Sequence, residues 1–221
     1  MKTILLLLLA GMFASCNAND QPVTNEMNMR QDNLIELVTK NDLEGMKKAL
    51  AAGANVNTRD NRGRTLLLLA TIDKQTAMAT LLAENGADAN LQDDIHDSPF
   101  LYAGATGQTE LVKIFLARGA RFDIFNRYNG TALIPACERG HVETVKVLVG
   151  TKGFPVNHVN RLGWTALMEA IVLGNGSKKY QEIVQILKDG GADVGIPDHD
   201  GVTPLQHARN RGFAEIVKIL E

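Results

Sequence analysis

Cys137, Glu138, Arg139 and His141 bring a thiol, a carboxylate, a guanidinium and an imidazole into five residues of the segment NGTALIPACERGHVETVKVLV. On an unbroken helix a cysteine and a histidine four positions apart share one face, and an imidazole beside a thiol is the arrangement that activates a nucleophile. Gly140 lies between them and allows the chain to leave the helix before His141, so that geometry is not secured. The other histidines, His96, His158, His199 and His207, lack the neighbouring cysteines or dense carboxylates that zinc needs as convergent ligands. The glycine-rich phosphate loop, the HExxH helix and the GxSxG elbow are all missing from the sequence. No catalytic, cofactor or metal residue is expected, and the chain does not read as an enzyme.

With 221 residues, 45% hydrophobic and 22% charged, the chain can bury a sizeable core as one domain or one array of repeats. Its formal charge is -2 and no sustained basic stripe supplies a phosphate footprint, which argues against a nucleic-acid partner.

The first sixteen residues, MKTILLLLLAGMFASC, join a lysine to an apolar run and then to small residues before Cys16. The run is too short to span a bilayer and has the layout of an export signal. Phe13-Ala14-Ser15-Cys16 resembles a bacterial lipobox, with Phe13 where leucine is usual. That resemblance implies cleavage before Cys16 and acyl chains, such as palmitate, on the cysteine. The implied location is the bacterial cell envelope, lipid-anchored at the outer membrane or on the periplasmic side; a secreted or periplasmic soluble chain is the alternative. Residues 17–31 read as a flexible polar linker, with little apolar periodicity. If Cys16 is acylated, Cys137 has no intrachain partner for a disulfide.

The strongest pattern is internal. Thr65, Ser98, Thr131, Thr165 and Thr203 follow one another at intervals of 33, 33, 34 and 38 residues, and each precedes an alanine by five places: Ala70, Ala103, Ala136, Ala170 and Ala208. Gly53-Ala54, Gly86-Ala87, Gly119-Ala120, Gly153-Phe154 and Gly191-Ala192 keep the same spacing, Phe154 being the exception. Short apolar runs of helical period fall between these landmarks, so each unit reads as helix, turn, helix and a polar hairpin-like tip. The hydroxyl residue can cap the first helix, Pro99 and Pro204 suit its first turn, and Gly107, Gly140, Gly174 and Gly212 permit a left-handed turn at its end.

GVTPLQHA at 201–208, GWTALMEA at 163–170, NGTALIPA at 129–136, HDSPFLYA at 96–103 and GRTLLLLA at 63–70 resemble the fingerprint of ankyrin repeats. The resemblance covers residues 32–221 and implies an all-α solenoid of about six helix-turn-helix units. It also implies a protein-protein interaction module that needs no cofactor, and the chain is expected to be a monomer. The fingerprint histidine is replaced throughout, by Leu68, Leu101, Ile134, Met168 and Gln206, so apolar packing is expected to take over its role. The first unit is expected to act as a cap, and the five extra residues of the fifth unit are placed in a loop between its helices, within 174–180. In this register Cys137 follows the close-packing alanine and is expected to be partly buried, while His141 follows the turn glycine.

Ankyrin arrays hold partner proteins on their tips and on the exposed side of the first helices. Carried onto this sequence, those positions are Arg127, Tyr128, Gly130, Glu138 and Arg139 in the fourth unit and Arg161, Leu162, Trp164, Val172 and Leu173 in the fifth. Tyrosine, tryptophan and arginine are the types most often found at binding hot spots. Asp94, Asp97 and Asp200 extend this patch with acidic tips. A structural or stress-protective envelope component without a tight partner stands as the alternative function.

Overall fold

The computed structural model describes residue 31 and residues 33–221. The signal-like segment, Cys16 and nearly all of the linker lie outside the described residues. Paired helices run in chain order: α1 (33–39) with α2 (Leu43–Ala51), α3 (Leu66–Ile72) with α4 (Thr76–Glu84), and α5 (Pro99–Ala105) with α6 (Thr109–Ala117). They continue as α7 (Leu133–Glu138) with α8 (Val142–Val149), α9 (Ala166–Val172) with α10 (Lys178–Asp189), and α11 (Pro204–Asn210) with α12 (Ala214–Leu220). The first helices α3, α5, α7, α9 and α11 pack successively against one another, and the second helices from α2 to α12 form a parallel layer. This is the expected ankyrin solenoid. Among the described residues no helix is long and apolar enough to cross a membrane.

The alanines at five places past the hydroxyl residue, Ala70, Ala103, Ala136, Ala170 and Ala208, are all fully buried where first helices meet. Leu68, Leu101, Ile134 and Met168 are buried too, as expected for apolar replacements of the fingerprint histidine, whereas Gln206 is exposed and closes a capping box with Thr203. Phe154, the exception to the Gly-Ala pattern, is buried and its ring centroid lies 4.9 Å from that of Phe122, itself 6.5 Å from Phe100. An aromatic chain thus crosses from the third repeat to the fourth.

One device builds every tip. Asp60, Asp93, Asn126, Asn160 and Asp198 each use a side-chain oxygen to accept the amides two and four residues on. The backbone closes the same loop, as where Asn126 N–H donates to Gly130 O at 3.0 Å. The residue three places on must take positive φ; Gly63, Gly163 and Gly201 do so without strain, and Asn129 (φ 59°) and His96 (φ 63°) do so in their place. Among the described residues no strand forms, and the hairpin character of the tips is limited to one antiparallel bridge, Arg59 to Thr65.

Four expectations change. Thr65, Ser98, Thr165 and Thr203 cap their helices through the side chain, but Thr131 does not, and its hydroxyl is buried without a partner. The residue four places on is Pro135, which lacks the N–H that in the other repeats donates to the threonine or serine carbonyl; α7 begins instead after Ala132, which is already helical. The insertion of the fifth unit is not simply a loop. Residues 173–177 form a connector longer than the three residues of the other repeats, and the remaining length extends α10 to 12 residues against 9 in α6. The left-handed turn correspondingly moves from Gly174 to Gly176 (φ 71°). Finally, Cys137 is fully buried rather than partly so.

Gly104 occupies the position equivalent to Cys137, one repeat earlier. A methyl group there would lie 2.7 Å from Ala132 Cβ and 2.9 Å from Ala132 O, against backbone that cannot rotate aside. Alanine would gain about 1 kcal/mol of helix propensity, but overpacking of this kind costs about 1–3 kcal/mol. Gly104→Ala is therefore expected to lower stability by about 1 kcal/mol in denaturant melts. A gain of similar size would show that α5 and α7 are not pressed together.

Candidate protein-binding site

The tip clamp faces its amides inward and leaves the side chain at its third residue free. In three successive repeats that residue is large and apolar: Ile95, Tyr128 and Leu162 are 54%, 53% and 49% exposed. Leu173, just beyond the end of α9, is 48% exposed on the same side. The sequence reading named Tyr128, Leu162 and Leu173 but passed over Ile95, which stands at the same register five residues before Phe100.

Below this row lies a concavity of about 480 Å³ between tips and first helices of the third, fourth and fifth repeats. Arg127, Tyr128, Gly130, Glu138, Arg139, Leu162 and Leu173 line it, together with Asp97, Tyr102, Asn160 and Glu169. Arg161 lines a neighbouring hollow of about 340 Å³ instead, while Trp164 and Val172 are half-buried and line neither.

The arginines are held in place. Arg127 Nη1 lies 3.6 Å from Asp97 Oδ2, and its guanidinium sits 5.6 Å from the centre of the Tyr128 ring. Arg139 Nη1 donates to Ala105 O at 2.7 Å, and Arg161 reaches back to the preceding tip, its backbone N–H donating to Tyr128 O at 2.8 Å. These bonds cross from one repeat to the next and fix the spacing of the exposed side chains. Burial lifts the Asp97 carboxyl above its ordinary range, with Arg127 opposing the rise.

Glu169 was not anticipated. It sits mid-helix in α9, only 4% exposed, and its Oε1 accepts from Asn160 Nδ2 at 2.9 Å. Burial first, and then the charge of Glu138, push its carboxyl up to about 7. The register gave a signal: Glu169 stands four places after its threonine, where His207 in the sixth repeat similarly reaches back to Asp198 of its own tip at 2.7 Å. In these two repeats the helix-to-tip tie is made one residue beyond the fingerprint histidine.

The Cys137–His141 pair does not form a reactive site. Burial holds the thiol well above its ordinary range, with Glu169 adding to the effect, so the thiolate needed for nucleophilic attack is disfavoured. The chain turns at Gly140 (φ 74°), and the His141 ring packs against Gly107 of the preceding repeat. Desolvation, followed by the charge of Arg139, lowers the histidine's pKa. Among the described residues no group of three histidine, cysteine or acidic side chains could hold a metal ion.

A stack of helix pairs with clamped tips and a lined concave side defines an ankyrin repeat solenoid, a class whose members generally serve as protein-protein interaction modules. The family profile described as "Ankyrin repeats (3 copies)" matches residues 34–126 and 100–198, and the chain belongs to the ankyrin repeat family. It is 39% identical over 179 residues to the ankyrin repeat protein YahD of Escherichia coli (strain K12), covering 81% of this chain and 89% of that one. The crystal structure of an ankyrin repeat domain from Acinetobacter baumannii AYE superposes with a TM-score of 0.83 at 49% identity, covering 85% of this chain and 95% of that one. The ankyrin repeat protein EF0377 superposes with a TM-score of 0.82 at 40% identity, again covering 85% and 95%.

The raised Glu169 pKa has a direct consequence for stability. The unfolded chain releases this proton near 4.5 and the folded chain near 7. Below the lower value both states are protonated and there is no penalty; between the two the folded state loses ground, and above the upper value the loss is complete. Glu169→Gln keeps an oxygen for Asn160 and removes the charge. Its melting should match the wild type at pH 4 and exceed it at pH 8 by about 2 kcal/mol, after allowance for solvent screening. Identical pH profiles for the two proteins would contradict the burial of a free carboxylate there.

Proposed function

We propose that this chain is a membrane-tethered module that holds a partner protein against the concave side of its third to fifth repeats. The observation that carries this reading is the row of exposed apolar side chains, Ile95, Tyr128, Leu162 and Leu173, beside a concavity rimmed by ordered arginines. An apolar centre with charged neighbours, held by a rigid scaffold, has the anatomy of a hot-spot cluster, because little side-chain freedom remains to be lost on binding.

Tethering rests on the lipobox-like Phe13-Ala14-Ser15-Cys16, with residues 17–31 as the polar linker and the bacterial cell envelope as the location. Acylation at more than one position would give stable attachment, since a single chain binds only marginally. The family membership supports the binding role, and the sequence motif alone supports the anchor.

Two measurements separate these parts. Co-purification from the native membrane should lose one specific partner in both Tyr128→Ala and Leu162→Ala, with affinity reduced about 30-fold for each truncation of a hot-spot side chain; unchanged capture in both variants would remove the interface. Metabolic labelling with palmitate should mark the wild type and vanish in Cys16→Ala. Label retained in that variant would remove Cys16 as the anchor.

A further inference from the structure

The concavity contains a negative charge that its walls do not balance. Glu169 lines it while remaining 4% exposed; its Oε1 is taken by Asn160, and its Oε2 accepts no hydrogen bond among the described residues. Glu138, at the end of α7, lines the same space and forms no ion pair among the described residues.

Two arginines line the same space as three carboxylates, Asp97, Glu138 and Glu169, and neither forms an ion pair with Glu138 or Glu169 among the described residues. Arg139 is bound to the Ala105 carbonyl, and Arg127 is placed beside Asp97 and over the Tyr128 ring. On the elements packed against α9, α7 presents the buried Cys137 thiol, and on α10 Tyr180 donates its hydroxyl to the Glu138 carbonyl while Lys179 lies over the Tyr180 ring, its Nζ 5.1 Å from the ring centre, and forms no ion pair among the described residues. On α11, His207 is bound to Asp198 and Arg209 to Glu221. A buried carboxylate without a counter-ion is costly, and a partner that brings one relieves the cost. With no metal-ligand set among the described residues, the complement is an organic cation.

We propose that this concavity receives one arginine or lysine side chain of a protein partner, its charged head facing Glu169 and Glu138 and its aliphatic stem lying along Tyr128, Leu162 and Leu173. The inference rests on the concave side being a protein interface. Long cationic side chains suit such a site because the stem gains apolar contact while the head finds its counter-charge. Because Glu169 titrates near 7, the cation is held by the ionised form and binding strengthens as pH rises through that value.

The test uses the full chain with Nα-acetyl-arginine amide and its neutral isostere Nα-acetyl-citrulline amide, followed by NMR shifts. Arginine amide should bind about tenfold more tightly at pH 8 than at pH 6, following the ionised fraction of a group titrating near 7. Citrulline amide should not bind. Glu169→Gln should abolish the pH dependence and weaken arginine binding, while Glu138→Gln should move the midpoint of the profile below that of the wild type. Equal binding of the two probes, or arginine binding unaffected by Glu169→Gln, overturns the proposal. Partner capture that needs Tyr128 and Leu162 without any arginine-amide binding also overturns it and leaves the interface standing. Arginine-amide binding at Glu169 in a protein whose capture ignores Tyr128 and Leu162 retains the cation site and removes the interface.

Discussion

Every feature of this molecule depends on the contact between one first helix and the next. A pair of short helices of 6 to 12 residues cannot cover its own apolar sides, and helices of that length are marginal alone. Stacking resolves both problems when the contacting residue is small enough to let the helix axes approach. The recurring alanine supplies that smallness, and at Gly104 the gap closes further, to the limit where no side chain fits. Stability in such an array is a sum of units and of the interfaces between neighbours.

The same stack converts local turn chemistry into a surface. Each Asp or Asn at the start of a tip satisfies two amides by itself, so the tip holds its shape without a sheet. Side-chain bonds then link the tips to one another, as where Arg59 donates to Gln92 O and Gln92 donates to Phe125 O. What remains free at each tip is one outward side chain, and these line up because the repeats do. Binding chemistry can therefore vary at Ile95, Tyr128 and Leu162 without disturbing the scaffold. The Cys137–Glu138–Arg139–His141 cluster is a product of the same arithmetic: a packing position, two groove positions and a turn position that happen to be consecutive.

The repeat period, the helix pairing and the turn residues were legible because each follows from a local rule that recurs at a fixed spacing. The departures come from pairs of residues whose effects meet only in three dimensions. Pro135 is ordinary by itself, and its effect is seen only as a hydrogen bond that Thr131 O does not receive. GNGSKKY reads as a loop by composition, yet Tyr180 is buried and donates to Glu138 O across the repeat boundary, which rewards continuing the helix. Glu169 was hidden because a glutamate in a helix is usually on a solvated face, and the hint from His207 at the same register acquires its meaning only with the tie from Glu169 to Asn160. Trp164 drew notice by its type, whereas its half-buried place beside the Asn160 clamp depends on a tip geometry that types do not express.

Native-state hydrogen exchange, resolved by residue, tests the stacking account most directly, since it reads the opening of each unit separately. If neighbours stabilise one another, amides of α5, α7 and α9 should exchange most slowly, with protection falling in steps toward α1 at one end and α12 at the other. Central helices that open as readily as the terminal ones would contradict it.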